Sequence, residues 1–232
     1  MSVEEVAPGV HRVVGKYVQD FGFLTSYIII RAGEAIIIDP GTAGHPGKTI
    51  IQALDSCGLD PRRDVAAILC THGHPDHVGG ALRTHNATGA PVFIHKSDAP
   101  VLESPALFLK ERLLLGPTGR LSMAFDKSPI RVNYSGIRPE RELVHGERLR
   151  VGDDQLVVIN TRGHSAGHCV FYMPQDRILF AGDEVCQYPS DPHRFYVDLS
   201  GDLTARLDAL EALSSLDIDF LLPAHDVPYL YG

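Results

Sequence analysis

Four side chains that can bind metal ions fall within six residues of one loop: His72, His74, Asp76 and His77. Imidazole nitrogens and carboxylate oxygens are the ligands that Zn²⁺ and related divalent ions prefer. Because side chains alternate along an extended chain, His72 and His74 are expected to point to the same side. Asp76 and His77 can reach a second point close by. The loop therefore predicts a metal site and leaves room for two adjacent ions.

Three further loops carry the same kinds of side chain. Each follows a short apolar run, and together the loops contribute His164, His168, Asp183 and His225. Their glycines allow the backbone to approach closely. Taken alone, each loop is compatible with an ordinary turn. Their common position after a strand indicates that they meet the first loop at one site, because ligands collect at the carboxyl ends of strands in α/β sheets.

Strand and helix signals alternate along the chain, as in α/β proteins. Strands are predicted at residues 24–31, 34–39, 66–71, 91–95, 149–151, 155–161, 169–173, 177–181 and 218–222. Helices are predicted at residues 48–57 and 77–86, and a final helix is predicted to bury the face formed by Leu203, Leu207, Leu210, Leu213 and Leu216. The strand at residues 66–71 runs directly into the histidine loop and positions it.

An inserted segment at about residues 104–141 interrupts this alternation. Ser104 and Pro105 are typical of a helix start, and Gly116 ends an unusually apolar stretch. The rest of the segment is irregular and basic, which fits either a solvated loop face or a binding site for an anionic substrate group. We predict a single domain of residues 1–232 in which this segment shapes the pocket or a homodimer contact.

The composition excludes several classes of partner. The 232 residues include 21 Lys+Arg and 29 Asp+Glu, for a formal net charge of -8, so the chain lacks the basic footprint of a nucleic-acid-binding protein. The N-terminal residues show no basic-then-apolar leader and no apolar run long enough to cross a bilayer. The four cysteines form no CxxC pair and fit reduced thiols. We expect a cytoplasmic protein that binds neither nucleic acid nor membranes.

The motifs, taken in order, resemble those of the metallo-β-lactamase-fold hydrolase superfamily. They are Ile-Ile-Asp-Pro-Gly at residues 37–41, His-x-His-x-Asp-His at 72–77, Gly-His-Ser-Ala-Gly-His at 163–168, Ala-Gly-Asp at 181–183 and Pro-Ala-His-Asp at 223–226. The resemblance covers essentially the whole chain. It implies an α/β fold of four layers, an αββα sandwich in which two sheets pack face to face, with helices outside and metal ions at one edge.

The resemblance also implies which residues hold the ions. The first ion would be held by His72, His74 and His164, the second by Asp76, His77 and His225, and Asp183 would bridge both. Two divalent ions are implied, for which Zn²⁺ is the first choice and iron and manganese are alternatives. Asp39 would hold a ligand histidine through a hydrogen bond, or would serve only as a turn residue, and His168 would support the ligands without binding metal.

Two ions roughly 3.5–4 Å apart lower the pKa of a bridging water toward neutrality and stabilise charge on the reacting oxygens. The resulting hydroxide is expected to attack a carbonyl carbon of a small-molecule substrate, so that no serine or cysteine nucleophile is needed. Asp76 is the expected catalytic residue, which orients the nucleophile and manages its proton.

Within the superfamily, the stretch Thr-His-Gly-His-Pro-Asp-His-Val-Gly-Gly at residues 71–80 is most similar to the glyoxalase II branch, whose members hydrolyse hydroxyacylglutathione thioesters. The implied function is therefore a thioester or ester hydrolase. After Asp183, the chain departs from the Gly-Arg and acidic-aromatic continuation that is usual in that branch. Tyr188 and His193 lie in this departing segment and are the expected substrate contacts.

Three alternatives stay open. A lactonase of the same fold shares all seven ligands, although Cys186 stands where that family has a tyrosine. A mono-iron persulfide dioxygenase also carries Pro-Ala-His-Asp in its last motif. A non-catalytic metal-binding scaffold is the third. Metal content separates them, because about two zinc ions favour hydrolysis and about one iron favours oxygen chemistry.

Overall fold

The computed structural model describes residues 3–16, 23–44, 47–108, 134–188, 191–196, 201–225 and 229–230. Within this part of the chain, the first sheet has its strands in chain order: β1 (Val3–Ala7), β2 (Val10–Lys16), β3 (Phe23–Arg31), β4 (Glu34–Ile38), β5 (Val65–Leu69), β6 (Val92–His95) and β7 (Arg141–Leu143). The first four strands are antiparallel, and β4 to β7 run parallel. Ala32 and Gly33 join β3 to β4 at positive φ, the geometry of a tight hairpin turn.

Most helices of the described chain lie between strands of this first sheet. They are α1 (Gly47–Ser56), α2 (Pro61–Asp64), α3 (Pro75–Val78), α4 (Ala81–Thr88), α5 (Ala99–Glu103) and α6 (Pro105–Leu107). Parallel neighbours such as β4 and β5 need a crossover connection, and α1 and α2 provide it.

The second sheet is built from the later part of the chain. Its strands are β8 (Arg148–Val151), β9 (Asp154–Asn160), β10 (Cys169–Met173), β11 (Ile178–Gly182), β14 (Phe220–Pro223) and β15 (Tyr229–Leu230), in the spatial order β15-β14-β11-β10-β9-β8. A small separate sheet pairs β12 (Cys186–Tyr188) with β13 (Asp191–Tyr196), and α7 (Leu203–Ser214) leads into β14. The parallel pair β11 and β14 brings two candidate ligand loops to the same edge.

Each sheet has apolar side chains on both faces, so it packs against the other sheet on one side and against helices on the other. In β4, Ile36 and Ile38 face the second sheet, where Phe171 and Phe180 meet them. Ile37, between them, faces the opposite way and packs with residues of α1 and α4. A strand that is buried on both faces reads as a continuous apolar run, which explains the Ile-Ile-Ile sequence.

The outer face of the second sheet is covered by α7. Leu213 of this helix packs with Val170, Tyr172 and Leu179 of the sheet. The layers are therefore helix, sheet, sheet and helix, which confirms the predicted αββα sandwich.

Two contacts tie the sheets together at opposite ends. The Tyr27 hydroxyl donates a hydrogen bond to the Pro223 carbonyl at 2.6 Å, at the edge where the ligand loops lie. At the other end, the Arg31 guanidinium is 2.6 Å from Asp154 and 2.6 Å from Asp176, both in the second sheet or its turns.

Two helix predictions differ from the structure. The helix predicted at residues 77–86 is broken at Gly79 and Gly80. The loop after β4 packs against this break so closely that a Cβ at Gly80 would lie 2.2 Å from the Pro40 carbonyl oxygen. The predicted leucine face of the last helix is confirmed at Leu213 and wrong at Leu203 and Leu207. Leu207 is 68% exposed, whereas Arg206 beside it is 1% exposed and faces the sheet.

The inserted segment predicted at about residues 104–141 lies largely outside the described residues, which include its start through Phe108 and its end from Tyr134. The single-domain prediction therefore stays a prediction. Among the described helices, none combines the length and apolarity needed to cross a membrane.

Candidate metal centre

All the predicted ligands lie at one edge of the sandwich, in loops that follow strands. His72 and His74 follow β5, and α3 carries Asp76 and His77 directly after them. In the second sheet, the candidate ligands follow three strands, β9, β11 and β14, and they are His164, Asp183 and His225. These three strands run in the same direction, so their carboxyl ends meet at this edge.

The first group of side chains is His72, His74, His164 and Asp183, called here the three-histidine group. Its ligand-capable atoms all lie within 4.8 Å of one another. The Nε2 atom of His164 is 2.8 Å from Nδ1 of His74 and 3.4 Å from Oδ2 of Asp183. Three imidazoles and a carboxylate at this spacing match the preferred ligand set of a tetrahedral Zn²⁺ ion.

The second group is Asp76, His77 and His225, called here the two-histidine group. Its ligand-capable atoms also lie within 4.8 Å of one another. Oδ1 of Asp183 is 3.2 Å from Nε2 of His77 and 3.4 Å from Nε2 of His225. The two oxygens of Asp183 therefore face different groups, which is the arrangement that a bridging carboxylate requires.

Buried polar atoms without partners test whether these residues fit metal ions. Within the described chain, Nε2 of His72, Nε2 of His77 and Oδ1 of Asp183 are buried and form no hydrogen bond. Leaving such atoms unpaired costs about 1–3 kcal/mol each. All three face the interior of the two groups, so divalent cations would satisfy them at once. The residues present fit the implied ions.

Asp39 fixes the orientation of His77. Its Oδ2 lies 2.9 Å from Nδ1 of His77 and accepts a hydrogen bond from the Thr71 hydroxyl at 2.8 Å, while Oδ1 accepts from the Thr71 N–H at 2.7 Å. With Nδ1 engaged in this way, Nε2 of His77 is the atom that faces Asp183. Asp39 itself has φ of 53°, a left-handed conformation at the end of β4.

His168 holds the backbone of Asp183. Its Nε2 accepts a hydrogen bond from the Asp183 N–H at 3.0 Å, and its Nδ1 lies 2.8 Å from the Thr161 hydroxyl. Burial lowers the pKa of His168 to about 3, so the ring is neutral at physiological pH. Both ring nitrogens are engaged with the protein, which leaves neither for a metal ion.

Burial and neighbouring charges shift the pKa values of the two groups differently. Burial, reinforced by the other histidines, holds the pKa of His72 well below its usual value. Burial would also lower the pKa of His225, but the carboxylates of Asp183 and Asp76 outweigh it and raise the pKa to about 10. Burial would raise the pKa of Asp183, but His225 and His77 outweigh it and hold that pKa well below the usual range.

Sequence reasoning missed Asp98. This residue is 1% exposed and accepts hydrogen bonds from Gly73 N–H at 2.9 Å, Ser165 Oγ at 2.6 Å and Gly167 N–H at 3.0 Å. It follows β6, so the rule that chemistry collects in loops after strands could have found it. A single carboxylate without a neighbouring histidine carried too little signal.

A buried ion pair behind Asp183 was also missed. Glu184 is fully buried, and its Oε1 lies 3.3 Å from Nε of Arg206 on α7. The Arg206 guanidinium also donates to the carbonyl of Asp183 at 3.4 Å. The pair connects the helix layer to the candidate bridging residue.

The predicted substrate contacts cannot be compared in the same way. The backbones of Tyr188 and His193 belong to β12 and β13, but their side chains lie outside the part that the structure describes. Phe108, which was not predicted, is buried with its ring centroid 5.3 Å from that of His74. It forms an apolar wall beside the three-histidine group.

Comparisons with known proteins agree with the fold. The family model of the metallo-beta-lactamase superfamily matches residues 20–225, and the chain belongs to this superfamily of metal-dependent hydrolases. A metallo-beta-lactamase family protein of Thermus thermophilus has the same fold, with a TM-score of 0.74 and 24% identity over 97% of this chain and 76% of that structure.

Two curated relatives show the degree of similarity. An uncharacterized protein of Mycobacterium tuberculosis is 32% identical over 155 residues, which are 65% of this chain and 62% of that protein. A hydroxyacylglutathione hydrolase of Methylobacillus flagellatus is 28% identical over 189 residues, 81% of this chain and 56% of that enzyme. The chain thus spans less than two thirds of the length of either relative, and it is similar to the glyoxalase II-like branch.

Proposed function

We propose that this chain is a hydrolase with two metal ions that cleaves a thioester or ester of a small-molecule substrate. The observation that carries the proposal is the position of Asp183, whose two carboxylate oxygens face two separate histidine groups at 3.2–3.4 Å. One carboxylate between two such groups suits a pair of adjacent ions better than a single one. Zn²⁺ is the proposed metal because the ligands are mainly imidazoles.

Two bound ions of this kind supply a water of lowered pKa and stabilise negative charge on the oxygens of the reacting carbonyl. The protein's own groups prepare the rest. Burial would raise the pKa of Asp76, but His77 and His225 outweigh it and lower that pKa, so the carboxylate is ionised at neutral pH. The Asp76 carboxylate can accept the proton of the attacking water and return it to the leaving thiolate or alkoxide.

Phe108 and the buried histidines limit the access of bulk water on the side of the three-histidine group. Excluding water on this side lowers the effective dielectric constant and strengthens the electrostatic interactions within the site. It also offers an apolar surface to the acyl part of a substrate.

Similarity to a hydroxyacylglutathione hydrolase supports a thioester substrate. The lactonase alternative calls for a tyrosine hydroxyl at position 186, but the residue there is a cysteine that is buried, with its Sγ 3.9 Å from the Asp183 carbonyl. Position 186 therefore offers no hydroxyl to a lactone. The missing hydroxyl favours the thioesterase over the lactonase.

The test is metal analysis followed by a substrate panel. We expect about two zinc ions per chain by mass spectrometry and turnover of S-lactoylglutathione or a simpler thioester, with little activity on an acyl lactone, a β-lactam or glutathione persulfide. Asp183→Asn preserves the shape of the side chain and should lose metal and activity together. Asp153→Asn, at an exposed aspartate of the β8–β9 turn, is the matched control.

Each outcome has a definite meaning. About one iron per chain with oxygen uptake on persulfide would replace hydrolysis by oxygen chemistry. A zinc-loaded protein that fails on every carbonyl substrate would overturn the esterase assignment. A protein that binds no divalent metal would overturn the whole proposal.

A further inference from the structure

Asp98 connects the two loops that carry the three-histidine group. Gly73, whose N–H donates to Asp98, lies between His72 and His74. On the other loop, Ser165 and Gly167 flank His164 on its C-terminal side and both donate to the same carboxylate. One buried carboxylate therefore accepts three hydrogen bonds from two segments. These segments are about 90 residues apart in sequence, the separation of His74 and His164.

The side chain of Asp98 is turned away from its ordinary local role. Asp98 is the N-cap residue of α5, and an aspartate at an N-cap usually accepts hydrogen bonds from the first N–H groups of its own helix. Here the side chain makes no such capping bond. The carboxylate is directed to the ligand loops instead.

Both loops pack closely on Asp98, and at Gly167 the distance leaves no room for a side chain. A Cβ at Gly167 would lie 2.6 Å from Cγ of Asp98, and a Cβ at Gly73 would lie 3.3 Å from its Cβ. Because there is no free space between carboxylate and loops, a shift of Asp98 must shift at least one loop. The distance between His74 and His164, 2.8 Å between Nδ1 and Nε2, depends on these loops.

A different aspartate performs the corresponding task for the two-histidine group. Asp39 contacts His77 directly and makes its other side-chain hydrogen bonds to Thr71. The hydrogen bonds given above connect Asp98 to the loops of the three-histidine group and Asp39 to the two-histidine group. Asp39 contacts the two-histidine group directly and reaches His72 only through Thr71, whose hydroxyl lies 3.0 Å from Nδ1 of His72. Asp98, in contrast, holds the backbone of both loops that carry the three-histidine group.

We propose that Asp98 is a positioning residue that sets the spacing of His72, His74 and His164 and thereby determines the metal affinity of the three-histidine group. The inference rests on the proposed binding of two metal ions. Asp98 belongs to neither group of candidate ligands. It acts through the backbone of Gly73 and Gly167 and the hydroxyl of Ser165, all of which need an acceptor in a buried site.

The experiment measures zinc affinity for one group at a time. His225→Ala removes a ligand of the two-histidine group, and in this background we compare Asp98→Asn with Asp98 by competition against a chromogenic chelator. Asparagine keeps the shape but replaces one acceptor oxygen by an N–H donor that faces another donor. We expect the zinc affinity to fall about 10–100-fold.

Two further variants make the result specific. Ser165→Ala removes one of the three donors without leaving a buried group unpaired, and we expect a smaller loss of affinity in the same background. Asp154→Asn, which changes a partly buried aspartate at the far end of the sandwich, should leave zinc affinity unchanged. Circular dichroism of the metal-free proteins reports whether each variant is folded. If Asp98→Asn does not fold, Ser165→Ala decides the matter.

The outcomes separate this inference from the proposed function. Unchanged affinity in Asp98→Asn, or in Ser165→Ala where the first variant is unfolded, would overturn the positioning role although the parent protein still binds two ions. Asp98→Asn is also made in a His164→Ala background, where zinc binds to the two-histidine group. If it lowers zinc affinity there as much as in the His225→Ala background, the effect is general and the positioning role is overturned. Failure of the unsubstituted protein to bind zinc would instead overturn the proposed function.

Discussion

Asp183 and His168 are joined by a hydrogen bond from the Asp183 backbone N–H to His168 Nε2, at 3.0 Å. The histidine lies in the same Gly-His-Ser-Ala-Gly-His motif as the candidate ligand His164. One loop therefore supplies a candidate ligand and also holds the backbone of the candidate bridging residue.

This relationship predicts that His168 matters for metal binding without being a ligand. We expect His168→Ala to weaken metal retention about 10–100-fold, because the carboxylate of Asp183 loses its fixed position. His168→Gln should recover part of the loss, since its amide oxygen can accept from the Asp183 N–H. Zinc retained after dialysis against a chelator measures both. A full complement of zinc in His168→Ala would contradict the role, and His85→Gln, at a half-buried histidine on α4, is the control.

The buried pair of Arg206 and Glu184 predicts a large and asymmetric stability effect. Replacing Arg206 by leucine leaves the Glu184 carboxylate buried beside Asp183 without its guanidinium, which should cost about 3–5 kcal/mol. Replacing both residues by leucine should cost less than the single change, because no unpaired charge is left. Urea unfolding of the metal-free proteins measures both values. A double variant that is less stable than Arg206→Leu would refute this account of the pair.

Arg31 predicts a loss of stability that is separate from the site. Its guanidinium forms partly buried ion pairs with Asp154 and Asp176 of the second sheet, far from the ligand loops. Arg31→Ala should lower the free energy of unfolding by about 1–3 kcal/mol, since these pairs are shielded from solvent only in part. Zinc content and the Michaelis constant should not change. A loss of metal in this variant would show that the two ends of the sandwich are coupled.

The opposite pKa shifts of the two groups predict when protons are released on metal binding. In the two-histidine group, burial is outweighed by neighbouring carboxylates, which raise the pKa of His225 to about 10 and that of His77 well above its usual value. Both rings are therefore protonated at pH 7 in the metal-free protein, so zinc must displace their protons. His72 and His164 have pKa values held well below the usual range and are already neutral. Zinc affinity of the two-histidine group should therefore rise with pH from neutrality up to about 10, the pKa of His225, while that of the three-histidine group changes little over the same range.

A pH indicator in weakly buffered solution measures this release. His164→Ala isolates the two-histidine group, and His225→Ala isolates the three-histidine group. We expect proton release with zinc binding in the first variant and much less in the second. Equal release in both would contradict the assignment of the raised pKa values to the histidines of the two-histidine group.

Much of this architecture could be predicted because local sequence determines it. The run Ile36-Ile37-Ile38 is apolar on both faces, as a strand covered on both sides must be. The loops after β5, β9, β11 and β14 can be recognised in the sequence by their histidines and aspartates. The seven candidate ligands were all predicted, and the structure brings them together in two adjoining groups.

Features that depend on long-range packing were not predictable in this way. Arg206 sits where a leucine face was expected, because its partner Glu184 comes from a strand end that only the folded chain brings beneath α7. Asp98 looks like an ordinary helix cap until Gly73 and Gly167 are placed against it. Charge partners across the fold leave no periodic signal in the sequence.

The hydrogen bond between Tyr27 and Pro223 joins two sheets that are synthesised one after the other. A ribosome delivers the ligands of the first sheet, through His77, long before it delivers His164, Asp183 and His225 of the second. A nascent chain with only the first sheet holds four ligand-capable side chains but lacks the bridging carboxylate. If the proposed metal binding holds, the complete ligand set forms only when both sheets have folded and met, because each sheet supplies part of it.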